Sequence, residues 1–305
     1  MNRFAKYSWL VLGWNMLDIL WGTIVRATGS GAGCGNHWPS CNGAILPDPQ
    51  HIQTLIEFTH RTLSGIALIM VFILLVWGLR SYPKGSHQRI GFIGSSFLII
   101  LEALLGAGLV LFKLVGTDTS VYRAVAVSLH LLNTFILLAF LGLNAWWASG
   151  GEPVNLNNRG KLLNAFVIGL AGVAIIGMSG AITALGDTLF PSTSLATTLA
   201  EQSTPGANFL VQLRIYHPLI AIIVGTYSIY LARYMYTHTK HNTGKKISLI
   251  LGILIAIQWT AGMTNIILLA PVWMQVVHLF LADSVWLSYI LLAGFTFSQP
   301  NLEAM

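Results

Sequence analysis

Four histidines stand inside long apolar runs of this chain, where a polar side chain is costly unless it has a function. They are His60, His130, His217 and His278. One histidine in a membrane helix is explained as well by a hydrogen bond between helices as by metal ligation. Four are harder to explain in that way, and imidazole nitrogen is a common ligand of haem iron. The pattern predicts haem ligation.

The positions of these histidines strengthen that prediction. Each lies six to eight residues into an even-numbered predicted helix, and no odd-numbered helix carries one. At about 1.5 Å per residue, the four rings share one depth, roughly 10 Å below one membrane surface. Such a layer suits two bis-histidine haems, or one haem and a second haem site. If each half of the chain pairs its own histidines, the pairs are His60 with His130 and His217 with His278.

A carboxylate distinguishes the two halves. Glu57 precedes His60 by three residues, so both side chains lie on one helix face. Leu213 and Arg214 occupy the equivalent turn of the second half. This difference predicts chemistry in the first half and electron transfer in the second. The alternative is a structural hydrogen bond that Glu57 accepts from Arg61 or from an interfacial water. Further intramembrane acids, to which the sequence assigns no role, are Asp18, Glu102 and Asp283.

Three arginines stand near the outer ends of the histidine-bearing helices, and a fourth ends the first predicted span. Haem propionates must leave the hydrocarbon or be paired, and arginine pairs well with carboxylates. The alternative is that these residues anchor helix ends in the lipid headgroups. The candidate propionate contacts are Arg26, Arg61, Arg123 and Arg214.

The only two cysteines, Cys34 and Cys41, lie in the connection over residues 28–53. In an oxidising compartment this spacing predicts a disulfide, which is structural or redox-exchanging. A metal-binding or redox pair of the Cys-x-x-Cys type is the alternative, although the spacing does not have that form. A closed loop of this size contributes about 2–3 kcal/mol of local ordering.

The composition indicates that the chain lies in a membrane. Apolar residues make up 55% of the 305-residue chain and charged residues only 9%, against about 25% charged in a soluble domain. Because lipid offers the backbone no hydrogen-bond partner, the apolar runs must be helices. The predicted fold class is all-α, with eight transmembrane helices. Their predicted bounds are 9–27, 54–79, 90–112, 122–147, 161–185, 210–236, 247–269 and 272–297.

Lysines and arginines are biased toward one side of these spans, which predicts that both termini are cytoplasmic. The connections over residues 28–53 and 186–209 then lie outside. The net charge of +6 reflects this topology and attraction to anionic lipid, so we expect no nucleic-acid partner. The N-terminal run is too long for a signal peptide and has no Arg-rich transit peptide before it. These features favour a prokaryotic plasma membrane.

Short similarities between the halves predict a parallel repeat of two four-helix bundles. Glu102 before Gly106 corresponds to Gln258 before Gly262, and His130-Leu131 corresponds to His278-Leu279. The predicted halves are residues 1–150, with the first histidine pair, and residues 151–305, with the second.

The Glu57-Phe-Thr-His60-Arg61 motif resembles the heme A synthase family. So does Arg26-Ala-Thr-Gly-Ser-Gly31, which leads into a loop with Cys34, Trp38-Pro39 and Cys41. Enzymes of this family oxidise a methyl group of haem O to the formyl group of haem A. The resemblance covers essentially the whole chain and includes the eight-helix double repeat. One departure is Pro218 after His217, where the first half has Arg61.

The resemblance implies a haem b cofactor on His217 and His278, with the haem O substrate near His60 and His130 and with Glu57 catalytic. It also implies an electron carrier, and haem O synthase or cytochrome oxidase assembly proteins as partners. Two alternatives stay open. A di-haem b-type cytochrome that oxidises quinol predicts two equivalent haem sites, and a haem transporter predicts loose binding without turnover.

Overall fold

The computed structural model describes residues 1–47, 51–157 and 159–299. In this part of the chain the structure is helical, and its one β-type pairing is an isolated bridge between Cys41 and Ala44. The predicted all-α fold is confirmed. The helices are α1 (Arg3–Ala27), α2 (Ile52–Ser81), α3 (His87–Leu111), α4 (Val121–Ala148), α5 (Gly160–Leu189), α6 (Leu195–Ser203), α7 (Phe209–Gln212), α8 (Tyr216–His238), α9 (Asn242–Ile267) and α10 (Val272–Ser298).

Eight helical segments are long and apolar enough to cross a membrane, counting α7, the 3-10 turn Leu213–Ile215 and α8 as one segment. Large apolar side chains such as Leu10, Ile69, Phe97 and Ile253 lie exposed on the helix surfaces. This is the arrangement expected where lipid rather than water surrounds a helix bundle. The chain is a multi-pass membrane protein.

Each half of the helix bundle closes on itself. Helices α1, α2, α3 and α4 pack in sequence, and α4 returns to α1; α5, α8, α9 and α10 form the corresponding ring. The two rings pack together through α1 and α4 on one side and α5 and α10 on the other, and α4 contacts α10 directly. At that junction Trp286 stacks on Phe135 at 4.9 Å between ring centres and donates a 2.6 Å hydrogen bond to the Phe135 carbonyl. That the halves are repeats of one another stays a prediction.

Two predicted boundaries were wrong. Helix α1 begins at Arg3 rather than at Trp9, because the Asn2 side chain accepts a hydrogen bond from the Ala5 N–H and caps the helix. The predicted connection 186–209 is partly helical: α5 continues to Leu189, and α6 follows within the connection.

Helix α6 begins with a capping box formed by Ser194 and Thr197. The transmembrane segment after it is interrupted at the 3-10 turn Leu213–Ile215. Pro218 explains this interruption, because proline has no N–H to donate to the carbonyl of Arg214, four residues before it. The following residues, from Tyr216 on, form the regular helix α8 that carries His217.

Candidate functional site

All four intramembrane histidines lie about two turns from the same end of the bundle, which also carries residues 28–47 and 190–208 and is called here the loop end. Each histidine ring packs against a glycine of a neighbouring helix. At three of these glycines a Cβ atom would lie 3.0–3.2 Å from the Cε1 atom of the ring, so a larger residue there would crowd the ring. At Gly106 the distance would be 3.8 Å, an ordinary contact. The contacts are Gly22 with His60, Gly106 with His130, Gly180 with His217 and Gly262 with His278.

In the second half, His217 and His278 face each other. Their ring centres are 6.4 Å apart, and their planes are nearly perpendicular, at 83°. Two imidazoles that share one metal ion, with bonds of about 2 Å, have ring centres roughly 6 Å apart. The pair therefore fits a bis-histidine iron, and the flanking glycines keep the space around the rings free of side chains.

The polar partners of this second pair are uncharged. The Ser179 hydroxyl lies 3.1 Å from Nδ1 of His217. The Gln258 amide nitrogen lies 3.4 Å from Nε2 of His278 and donates to the His278 carbonyl at 3.2 Å.

In the first half, His60 has a charged neighbour. Its Nδ1 lies 3.0 Å from a carboxylate oxygen of Asp18 on α1. The Ser64 hydroxyl, one turn further along α2, donates to that same oxygen at 3.0 Å. Asp18 thus sits between the histidine ring and a hydroxyl of the histidine's own helix.

His130 has the corresponding neighbour on α3. Its Nδ1 lies 3.6 Å from a carboxylate oxygen of Glu102. The Thr134 hydroxyl and the Asn133 amide each donate to Glu102 at 2.5 Å. The carboxylate is therefore fixed from two sides by residues one turn beyond His130.

Asp18 and Glu102 are site residues to which the sequence assigned no role. A signal for them exists in hindsight: each stands four residues before the glycine that faces a histidine, so it lies on the same helix face as that glycine. The corresponding residues of the second half are Ile176 and Gln258, which cannot carry charge.

Glu57 is buried, with 3% of its surface exposed. One carboxylate oxygen accepts a 2.5 Å hydrogen bond from Arg61, and the other accepts a 2.7 Å hydrogen bond from the backbone N–H of Cys34. The structural contact to Arg61, which the sequence left open as an alternative, is present. Glu57 is thus fixed beneath the loop end, one turn before His60.

The loop above Glu57 is closed by a disulfide between Cys34 and Cys41, as predicted, with Cα atoms 4.4 Å apart. Arg61 donates to the carbonyls of His37 at 2.7 Å and Ser40 at 2.6 Å. Arg61 therefore connects the loop to the Glu57 carboxylate through hydrogen bonds.

The other candidate arginines also have protein partners. Arg26 spans the two halves: it donates to the Ala184 carbonyl at 2.7 Å, to Thr188 at 3.1 Å and to the Gln275 side chain at 2.8 Å. Arg123 donates to the carbonyls of Gly116 and Asp118, both at 2.8 Å. Arg214 pairs with Asp187 at 2.9 Å. Their predicted contact with haem propionates stays a prediction.

The fold and these residues define a class of protein, a polytopic membrane protein with four intramembrane histidines, two in each half. The sequence model of a family described as cytochrome oxidase assembly protein matches residues 5–290. The chain belongs to this family, COX15-CtaA.

Individual relatives carry two different names. A Thermus thermophilus protein named protoheme IX farnesyltransferase is 48% identical over 293 residues, which cover 96% of this chain and 48% of that protein. Heme A synthase of Alkalihalophilus pseudofirmus is 34% identical over 140 residues, 46% of this chain and 47% of the relative. Heme A synthase of Lysinibacillus sphaericus is 40% identical over 115 residues, 36% of each chain. The chain spans about half the length of the Thermus relative.

Proposed function

We propose that this chain is a heme A synthase, which oxidises a methyl group of haem O to the formyl group of haem A. Family membership and the heme A synthases among its relatives support this role. The observation that carries the proposal is the asymmetry at Glu57. A buried carboxylate is fixed beside the first histidine pair, and the equivalent turn of the second half has none.

The second pair, His217 and His278, is proposed to hold haem b as the cofactor. The separation of 6.4 Å between their ring centres supports this assignment. When bound there, haem b would supply one-electron transfer. The uncharged surroundings, Ser179 and Gln258, are suited to holding the rings without taking part in proton chemistry.

The first pair, His60 and His130, is proposed to bind the iron of haem O. Their side chains are 28% and 29% exposed, so a hydrophobic substrate dissolved in the membrane has a route to them. Apart from the two histidines and the carboxylates beside them, Glu57 is a further group of this half that can exchange a proton. Its proposed role is to accept a proton from the reacting methyl group or to stabilise developing positive charge.

The reaction consists of two successive two-electron oxidations. In the first, the methyl group takes up the oxygen of one water and becomes an alcohol. In the second, the alcohol takes up the oxygen of another water and becomes a hydrated aldehyde, which loses one water to leave the formyl group. Each oxidation releases two electrons and two protons. The electrons pass to an acceptor of the quinone or cytochrome class, and the protons leave through Glu57 toward the loop end. In the proposed topology the loop end faces outward from a prokaryotic plasma membrane, and both termini are cytoplasmic.

The proposed partners follow from the substrate. Haem O carries a farnesyl-derived tail, so a protoheme IX farnesyltransferase must supply it, and cytochrome oxidase assembly consumes the product. The Thermus relative supports a close relationship with the supplier, since it carries that enzyme's name and this chain matches 48% of its length. Membrane lipid is the remaining proposed partner.

A second function is a di-haem b-type cytochrome that oxidises quinol. One observation favours it: each half holds two intramembrane histidines, and a glycine faces each of them. Extraction of the pigments from purified protein separates the two. Haem B together with haem O or its oxidised forms supports the synthase. Two haem B per chain, without haem O, supports the cytochrome and contradicts the synthase.

A further inference from the structure

The two histidine pairs differ in the residues that lie beside their imidazole nitrogens. In the first half a carboxylate lies beside Nδ1 of each histidine: Asp18 at 3.0 Å from His60 and Glu102 at 3.6 Å from His130. In the second half the Ser179 hydroxyl lies beside Nδ1 of His217, and the Gln258 amide lies beside Nε2 of His278. The difference therefore affects both histidines of each pair.

The residues one turn beyond each histidine show the same difference. Ser64 and Thr134 follow the first-half histidines by four residues, and both donate hydrogen bonds to the carboxylates. Ala221 and Ala282 stand at the same positions after His217 and His278, and alanine has no group that could orient a carboxylate. Each first-half carboxylate is thus part of a built arrangement of ring, carboxylate and hydroxyl.

A carboxylate beside the N–H of a metal-binding histidine has a known physical effect. It fixes the tautomer and orientation of the ring, so that the other nitrogen faces the metal, and it raises the basicity of that nitrogen. A more basic ligand stabilises the oxidised iron relative to the reduced iron and lowers the reduction potential of the haem. A hydroxyl or amide partner has a smaller effect because it carries no charge.

We propose that Asp18 and Glu102 are positioning residues that make the first histidine pair the stronger donor to ferric haem. The proposal rests on the proposed function for assigning the substrate to this pair. It predicts that haem bound between His60 and His130 has a lower reduction potential than haem b between His217 and His278. Transfer of electrons from the haem of the first half to haem b in the second half is then thermodynamically favourable.

The test uses purified protein that retains its haem b and is titrated with haem O, so that the added absorbance belongs to the first site. Replacement of a residue that holds a metal-binding histidine typically weakens metal binding about 10- to 100-fold. We expect Asp18→Asn to weaken haem O binding by this amount. Glu102→Gln should weaken it less, because Glu102 lies 3.6 Å from the ring nitrogen, beyond hydrogen-bond distance. Both variants should shift the midpoint potential of haem O to more positive values. The potential of haem b should not move. Asp18→Glu, which keeps the charge, should restore most of the affinity.

Asp283→Asn is the matched control, because Asp283 is a buried intramembrane acid with no hydrogen-bond partner among the residues that the structure describes. It should leave haem O affinity and potential unchanged. A reciprocal variant, Gln258→Glu, places a carboxylate beside His278 and should shift the potential of haem b to more negative values. This variant tests the proposal even where a first-half variant does not fold.

Unchanged haem O affinity and potential in Asp18→Asn and Glu102→Gln would overturn the proposal. An equal shift of both haems in these variants would also overturn it, since that would show a general structural disturbance. Haem O affinity and midpoint potential are both measured without conversion of haem O. If the wild-type protein forms no haem A, the proposed function is contradicted, but the affinity and potential of the variants can still be compared with those of the wild type.

Discussion

The backbone N–H of Cys34 donates a 2.7 Å hydrogen bond to Oε2 of Glu57, which joins the disulfide loop directly to the buried carboxylate of α2. The other oxygen of Glu57 is held by Arg61, which also binds the loop carbonyls of His37 and Ser40. The position of the proposed catalytic group therefore depends on a loop that is closed by one covalent bond.

The double variant Cys34→Ser/Cys41→Ser tests this dependence. Loss of the disulfide removes about 2–3 kcal/mol of loop ordering, and misplacing a reacting group by about 1 Å costs up to about 100-fold in rate. We expect haem A formation to fall roughly 10- to 100-fold while the haem b spectrum stays unchanged. Haem extraction after co-production with haem O measures this. Wild-type haem A levels would show that the loop does not position Glu57.

The histidine pairs are expected to respond differently to substitution. His217→Ala or His278→Ala removes an axial ligand of the proposed cofactor, so the purified protein should lose its haem b absorbance. His60→Ala or His130→Ala should leave haem b in place and abolish haem A formation. The measurement is the haem b content per chain. Equal loss of haem b from all four variants would favour the di-haem cytochrome.

Gly180 tests whether the glycine contacts matter. A Cβ atom there would lie 3.0 Å from Cε1 of His217, closer than the optimum of about 3.5–4.0 Å. Overpacking of this kind costs about 1–3 kcal/mol, so Gly180→Ala should weaken haem b binding by roughly tenfold or more. Gly252→Ala is the control, because nothing lies within 4 Å of a Cβ atom at Gly252. Equal haem b affinity in the two variants would contradict the proposed role of Gly180.

Arg26 joins the halves through Ala184 and Thr188 of α5 and Gln275 of α10. Hydrogen bonds to charged groups contribute about 1.5–3 kcal/mol, so Arg26→Gln should lower the thermal unfolding temperature of the detergent-solubilised protein. The haem content at low temperature should stay unchanged. Haem loss without a change in the unfolding temperature would show instead that Arg26 binds a propionate.

Much of the architecture could be predicted because lipid imposes simple rules on the chain. The eight spans follow from apolar runs of helix-crossing length, and most of their ends agree with the structure within a few residues. The start of α1 was missed because it depends on a single cap, Asn2. Helix α6 was missed because it is short, although the Ser194 and Thr197 capping pair is visible in the sequence.

The site was predicted only in part, for a physical reason. The histidines and Glu57 could be chosen because buried polar groups are costly in a membrane. The partners of the histidines lie on neighbouring helices and depend on how these helices rotate and pack against each other. Asp18 and His60 are brought together by the packing of α1 on α2. Asp18 stands four residues before Gly22 and so lies on the same face of α1. That this face meets His60 could not be predicted without knowing how the helices rotate against each other.

The most direct test of the central claim is the conversion of haem O by the wild-type chain and by Glu57→Gln. The variant keeps the size of the side chain and its hydrogen-bonding capacity but removes the charge and the capacity to accept a proton. Each protein is produced together with a haem O synthase in a host that makes no haem A, and the membrane haems are extracted and identified. Glu57→Asp serves as a control that keeps the carboxylate.

We expect haem A in membranes with the wild-type chain. With Glu57→Gln we expect little or none, together with an unchanged haem b spectrum and accumulated haem O or partly oxidised haem. Absence of haem A with the wild-type chain, despite bound haem b and available haem O, would contradict the proposed function. Wild-type levels of haem A with Glu57→Gln would contradict the catalytic role of Glu57.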